Sequence, residues 1–164
     1  MTLGLVRVDS RLIHGQISTS WVPQLGLEVA LVADAEVLAD PLEATLVRGA
    51  APLGLEVELC PPPEVSTRLD AHGDRQVLVL FRTVAAVHEA WESGFRFEQL
   101  NLGNCHSGAG RARLTDSVYL ADDDLARLYV LHDAGVELVC QALPSDPRRR
   151  LFTETPVKGE EAVQ

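Results

Sequence analysis

The sequence predicts an α/β layer fold: three layers, with a mostly parallel sheet of about seven strands and helices on both faces. Three observations predict it. Short, nearly all-apolar runs such as Val77-Leu78-Val79-Leu80-Phe81 suit strands buried on both sides. Segments with helical spacing or helix-start signals separate those runs. Glycine and proline punctuate the changes from one to the other.

The elements follow in order. Leu3 to Val8 reads as the first strand, and Gly15 to about Val22 as a helix that Pro23 ends. Glu28 to Ala33 is the second strand. Asp40-Pro41-Leu42-Glu43 starts a helix, with an N-cap carboxylate, proline at the first position and glutamate at the third. Leu42, Leu46 and Val47 form its expected buried stripe, and Gly49 lies near its end. Glu56 to Cys60 is the third strand, and Pro61-Pro62-Pro63 cannot continue a ladder. A helix over about Glu64 to Ala71 and a fourth strand, Gln76 to Phe81, come next.

Val84, Val87 and Trp91 recur at helical spacing before Gly94. Gln99 to Leu102 is the fifth strand, Asn104 to Arg113 a loop, and Ser117 to Leu120 a short sixth strand. Asp122-Asp123-Asp124 places negative charge at the positive end of a helix whose inner face holds Leu125, Leu128, Tyr129 and His132. Gly135 ends it, and Val136 to Ala142 is the seventh strand. Residues 3–150 are expected to form one domain, and residues 151–164 a partly disordered tail, loosest from Gly159 to Gln164.

Composition narrows the function. The formal charge is −10, opposite in sign to that of most nucleic-acid-binding domains, so no nucleic-acid partner is expected. Arginine outnumbers lysine 13 to 1, and the single basic run is Arg148 to Arg150. Cys60, Cys105 and Cys140 are too few and too scattered for a disulfide framework and read as buried, idle thiols. Met1 to Val8 lacks a basic leader and a cleavage site, and no apolar stretch approaches the roughly 20 residues of a membrane span. The expected location is the cytoplasm.

Ligands in such sheets bind beyond the carboxyl ends of strands. The first strand leads into Asp9-Ser10-Arg11-Leu12-Ile13-His14-Gly15-Gln16. A neutral imidazole at His14 carries a lone pair able to attack phosphorus. The Arg11 guanidinium can grip two phosphate oxygens and keeps its charge. Gly15 lets the backbone approach a bulky anion, and the helix starting there aims free N–H groups at the loop. Asp9 can hold either Arg11 or the second imidazole nitrogen. Phosphoryl transfer depends on positioning and charge, so this set could suffice with no metal and no cofactor. Phe81 and Arg82 end the fourth strand and are possible rim residues by the same sheet rule. Cys105 and His106 are too few to ligate a metal. His106 reads as a solvated loop residue, and His72, His88 and His132 as surface or core-edge residues.

The run Val6-Arg7-Val8-Asp9-Ser10-Arg11-Leu12-Ile13-His14-Gly15-Gln16, with Trp21 after it, resembles the active-site signature of the IIB components of mannose/fructose/sorbose phosphotransferase systems. The likeness continues through Val77 to Phe81, Asn101-Leu102-Gly103, Leu114 to Leu120, Gly135 to Leu138 and Pro144-Ser145-Asp146. One departure is Asn104-Cys105-His106, where the family carries small, Gly-rich residues.

The resemblance implies a phosphohistidine–sugar phosphotransferase component. It implies that His14 accepts phosphate from a IIA phosphohistidine, on Nδ1, and passes it to a sugar arriving through membrane IIC and IID partners. It implies phosphoryl binding by Arg11, with Asp9, Gly15 and Gln16 shaping the phosphate-binding loop. An alternative on the same fold is a regulatory phosphohistidine protein that reports to a protein partner instead of phosphorylating sugar.

Overall fold

A computed structural model describes residues 2–153. A seven-stranded sheet forms its middle layer, in the order β3-β2-β4-β1-β5-β8-β9. The strands are β1 (Thr2–Asp9), β2 (Val29–Ala33), β3 (Glu56–Cys60), β4 (Gln76–Phe81), β5 (Gln99–Asn104), β8 (Glu137–Cys140) and β9 (Arg149–Leu151). Strand β1 lies between β4 and β5, and every pairing is parallel except β8 with β9. The three-layer expectation therefore describes the observed fold.

Strand alternation builds two cores. Val6, Val8, Val29, Leu31, Val77, Val79 and Phe81 face one side, under α4 (Val65–Asp70), α5 (Val84–Glu92) and α6 (Asp122–Asp133). Ala30, Val32, Leu78 and Leu80 face the other. That side is covered by a helix over residues 15–25, which ends in α1 (Val22–Leu25), and by α2 (Ala35–Ala39) and α3 (Pro41–Gly49).

Several sequence expectations need correction. Pro23 does not end the first helix. It follows a π-turn, Ile17–Trp21, in which Val22 N–H bonds to Ile17 O, and the chain leaves the helix at Gly26 with φ of 61°. Proline has no N–H for the usual fourth-residue bond, and the widened turn before it accommodates that lack.

Helix α3 starts as read: Asp40 accepts from the amides of Leu42 and Glu43. Its buried residues, however, are Ala44 and Val47, while Leu42 and Leu46 are exposed. The unexpected α2, capped by Asp34 on Val37 N–H, packs against it. On α6, Leu128 and Leu131 point inward, and Tyr129 lies outside, stacked on Phe152.

The expected sixth strand leaves the main sheet. It forms β7 (Tyr119–Ala121), paired antiparallel with β6 (Arg111–Arg113). Only residues 114–118 separate the two, a length that closes a hairpin and allows no crossover. The seventh place goes to β9, which straddles the expected end of the domain at residue 150, where no strand was read. Arg149 and Arg150 give it no apolar signature; Arg150 Nε instead lies 2.8 Å from Glu137 on the neighbouring strand. The predicted loose stretch Gly159 to Gln164 lies outside the described residues. Among the described residues, no helix is long and apolar enough to cross a membrane.

Candidate active site

Strand β1 ends at Asp9 in the middle of the sheet, and the loop after it carries Arg11 and His14. Val8 pairs with Leu102, but Asp9 pairs with Asn104, so the ladder skips Gly103. That irregularity brings the Asn104 side chain beside Asp9.

Asp9 is fully buried and organises the loop. Its Oδ1 accepts from Arg11 N–H at 3.0 Å. Its Oδ2 receives Arg7 Nε at 3.2 Å, Arg7 Nη2 at 3.0 Å and Asn104 Nδ2 at 2.9 Å. The same oxygen lies 2.8 Å from His14 Nε2. Burial alone would raise the Asp9 pKa. The hydrogen bond to His14, the charge of Arg7 and the amide of Asn104 outweigh it and hold the carboxyl below its ordinary value. An ionised carboxylate only accepts, so Nε2 of His14 carries the hydrogen. The lone pair of the neutral ring is then on Nδ1, which has no hydrogen-bond partner among the described residues. The imidazole remains reachable, with 13% of its side chain exposed.

Asp9 was expected among the phosphate-binding residues. A buried carboxylate whose two oxygens already take these donors cannot also bind an anion; it sets the His14 ring. Of the two roles open to it, it holds the second imidazole nitrogen, and it touches Arg11 only at the backbone. The Arg11 side chain is exposed and forms no hydrogen bond or ion pair among the described residues.

Leu12 makes the tight turn possible. Its φ is +56°, and its N–H returns to Asp9 O at 3.0 Å. A left-handed non-glycine residue costs ~1–2 kcal/mol. Burying the leucine side chain, 1% exposed here, returns ~1.5–3 kcal/mol and outweighs the strain.

The helix opens with Ser18 N–H bonding to His14 O at 3.0 Å. That start leaves the amides of residues 15–17 without helical acceptors. Gly15 is exposed at this first turn, and Gln16 Oε1 accepts from Asn104 Nδ2 at 2.9 Å. The π-turn carries Trp21 inward, where its Nε1 donates to Ala142 O at 2.9 Å.

The two rim candidates fall elsewhere. Phe81 is fully buried, its ring 6.4 Å from that of Phe95, so it is a core residue. Arg82 does stand at the end of β4, but its guanidinium goes to Glu43, to Asp34 at 3.6 Å and to Glu36 at 4.0 Å. It lines a cavity of about 170 Å³ with His106, Arg111 and Asp124. Val8 lines that cavity too and points to the opposite face of β1 from Asp9.

All three cysteines are buried and unpaired. Burial pushes the thiols of Cys60 and Cys105 up to about 12 and that of Cys140 up to about 11, which leaves no thiolate for catalysis. Among the described residues no three metal-ligating side chains gather.

Sequence reasoning overlooked Arg7, Asn101, Gly103 and Asn104 as members of this site. A signal existed: an arginine inside an apolar strand, two residues before an aspartate, puts both on one face.

Comparison with known proteins gives the site its context. Residues 3–161 match the family described as the PTS system sorbose subfamily IIB component. The chain is 31% identical over 149 residues to the PTS system sorbose-specific EIIB component of Lacticaseibacillus casei, covering 90% of this chain and 91% of that protein. It is 32% identical over 149 residues to the N-acetylgalactosamine-specific phosphotransferase enzyme IIB component 2 of Escherichia coli K12, covering 90% and 95%. The crystal structure of the IIBSor domain of the sorbose permease from Klebsiella pneumoniae superposes with a TM-score of 0.84 at 29% identity, covering 91% of this chain and 93% of that one. This chain therefore belongs to the sorbose subfamily of phosphotransferase-system IIB components and is a sugar phosphotransferase domain.

Proposed function

We propose that the chain is a phosphoryl carrier that accepts phosphate from a IIA phosphohistidine onto Nδ1 of His14. It passes the phosphate to a sugar of the mannose/fructose/sorbose class, delivered by membrane IIC and IID partners. The observation that carries the reading is the 2.8 Å contact from His14 Nε2 to Asp9, which leaves Nδ1 as the free nitrogen.

The Nδ1 lone pair attacks phosphorus, an N–P bond forms, and the donor imidazole leaves with its electron pair. The phosphorylated ring becomes cationic, and Asp9 opposite Nε2 stabilises that charge. Arg11 folds onto the phosphoryl oxygens with its planar fork. The unpaired amides of residues 15–17 and the positive end of the helix add to the anion's field. Gly15 keeps the first turn open, and Gln16 steadies Asn104. In the second step a sugar hydroxyl oxygen attacks phosphorus and its proton passes to solvent water, the N–P bond breaks, and Nδ1 regains its lone pair.

Phosphate transfer from phosphoenolpyruvate through enzyme I, HPr and a IIA protein tests the reading. Intact mass and peptide mapping at neutral-to-basic pH should find one phosphate on the His14 peptide and none in His14→Ala. A charged IIA protein that leaves His14 unmodified would defeat it. Phosphate that enters His14 but never reaches sugar, in membranes holding IIC and IID, would favour the regulatory alternative.

A further inference from the structure

Arg7 is the largest fully buried polar side chain among the described residues, and it touches no solvent. All five of its N–H donors are used. Nε and Nη2 go to Asp9 Oδ2. Nη1 goes to Asn101 Oδ1 at 2.6 Å and Gln141 O at 3.0 Å, and Nη2 also reaches Ala142 O at 3.1 Å. The guanidinium spans β5 and anchors on the chain leaving β8, while Trp21 covers it at 5.3 Å from the ring centroid.

Gly103 leaves the room for this. A Cβ there would lie 1.9 Å from Arg7 Cζ and 2.0 Å from Nη2, far inside any permitted contact. The Cβ-free backbone of Gly103 is therefore the floor on which the guanidinium rests. A buried arginine does not lose its proton, and a buried carboxylate facing it stays ionised. The imidazole opposite that carboxylate then has one low-energy arrangement, with hydrogen on Nε2.

We propose that Arg7, lying flat over Gly103, is a positioning residue that fixes Asp9 as the acceptor for His14 Nε2 and so reserves Nδ1 for phosphate. The proposal rests on the reading of His14 as the phosphate-bearing residue. It separates the loop into a working pair, Arg11 and His14, and a buried pair, Arg7 and Asp9, that never meets the phosphate. It also assigns Asn101 and Gly103 to the site through Arg7 alone.

The tautomer can be read without any phosphate transfer, from the ¹⁵N shifts of the His14 ring in the unphosphorylated protein. Wild type should show the Nε2–H form. Gly103→Ala, which keeps every charge but displaces the guanidinium, and Arg7→Lys, which keeps the charge but loses the fork, should both populate the Nδ1–H form. Phosphate uptake should slow about tenfold or more, as for other residues that orient a working histidine, and the pH profile of phosphate loss from His14 should shift. Circular dichroism checks that each variant is folded; if neither is, Asn101→Ser, which removes the 2.6 Å acceptor, decides with the same readouts. Folded variants with the wild-type tautomer and uptake overturn the proposal, as does a wild type in the Nδ1–H form. A wild type that takes no phosphate but shows the tautomer change in its variants would refute the carrier reading and leave the role of Arg7 in place.

Discussion

His14 Nε2 lies 2.8 Å from Asp9 Oδ2, and that oxygen also receives two N–H groups of Arg7 and one of Asn104. One carboxylate oxygen thus joins a buried cation to a partly exposed ring. Stability and chemistry therefore share a group, and they can be separated by choosing which side of Asp9 to alter.

Asp9→Asn alters both sides. In the structure it leaves the Arg7 charge buried without its counter-ion, a loss of ~3–5 kcal/mol for pairs of this kind. Urea denaturation should show the drop. An unchanged midpoint would mean that the Arg7–Asp9 pair contributes nothing.

Arg11→Lys alters only the exposed side. The side chain has no partner among the described residues, so stability should stay within ~0.5 kcal/mol. Phosphate uptake should nevertheless slow greatly, because an ammonium cannot make the two-pronged contact. Stopped transfer assays and a melting curve on the same sample separate the two effects.

The depressed Asp9 carboxyl predicts an acid-sensitive fold. A carboxyl whose pKa is lower folded than unfolded contributes stability that is complete above the unfolded value of about 3.9. That contribution fades as pH falls from there through the folded value. Denaturation midpoints of wild type should therefore fall more steeply with acid than those of Asp9→Asn, and the two curves should converge at low pH.

The packing of α3 makes a contrasting pair. Leu46 is 65% exposed, so Leu46→Ala should change stability by no more than ~0.5 kcal/mol. Leu80 is fully buried in the core on that face of the sheet, and Leu80→Ala should cost ~2–5 kcal/mol. Equal losses in both would show that Leu46 points inward after all.

The sheet was legible where burial on both faces wrote a continuous apolar run, as in Val29–Ala33 and Val77–Phe81. It was illegible at β9, where Arg150 pairs with Glu137, Arg149 donates to Leu114 O, and the partner strand ends about nine residues earlier. The face of α3 was misread because leucines mark an inner face only on average. Here Ala44 and Val47, not the leucines, join the buried cluster that holds Leu78 and Leu80.

The sequence by itself determined the alternating architecture and the loop after the first strand, and it offered His14 and Arg11 as the pair expected to carry the chemistry. These follow from local pattern and from side-chain chemistry, which need no partner to be recognised. Only the tertiary structure decided which nitrogen of His14 is free, that Asp9 contacts the ring and not the Arg11 side chain, and that Arg7 and Gly103 lie behind it. Those facts depend on contacts between residues as far apart as Arg7 and Ala142. Such contacts exist only once the sheet has brought β1, β5 and β8 side by side, and no local pattern encodes them.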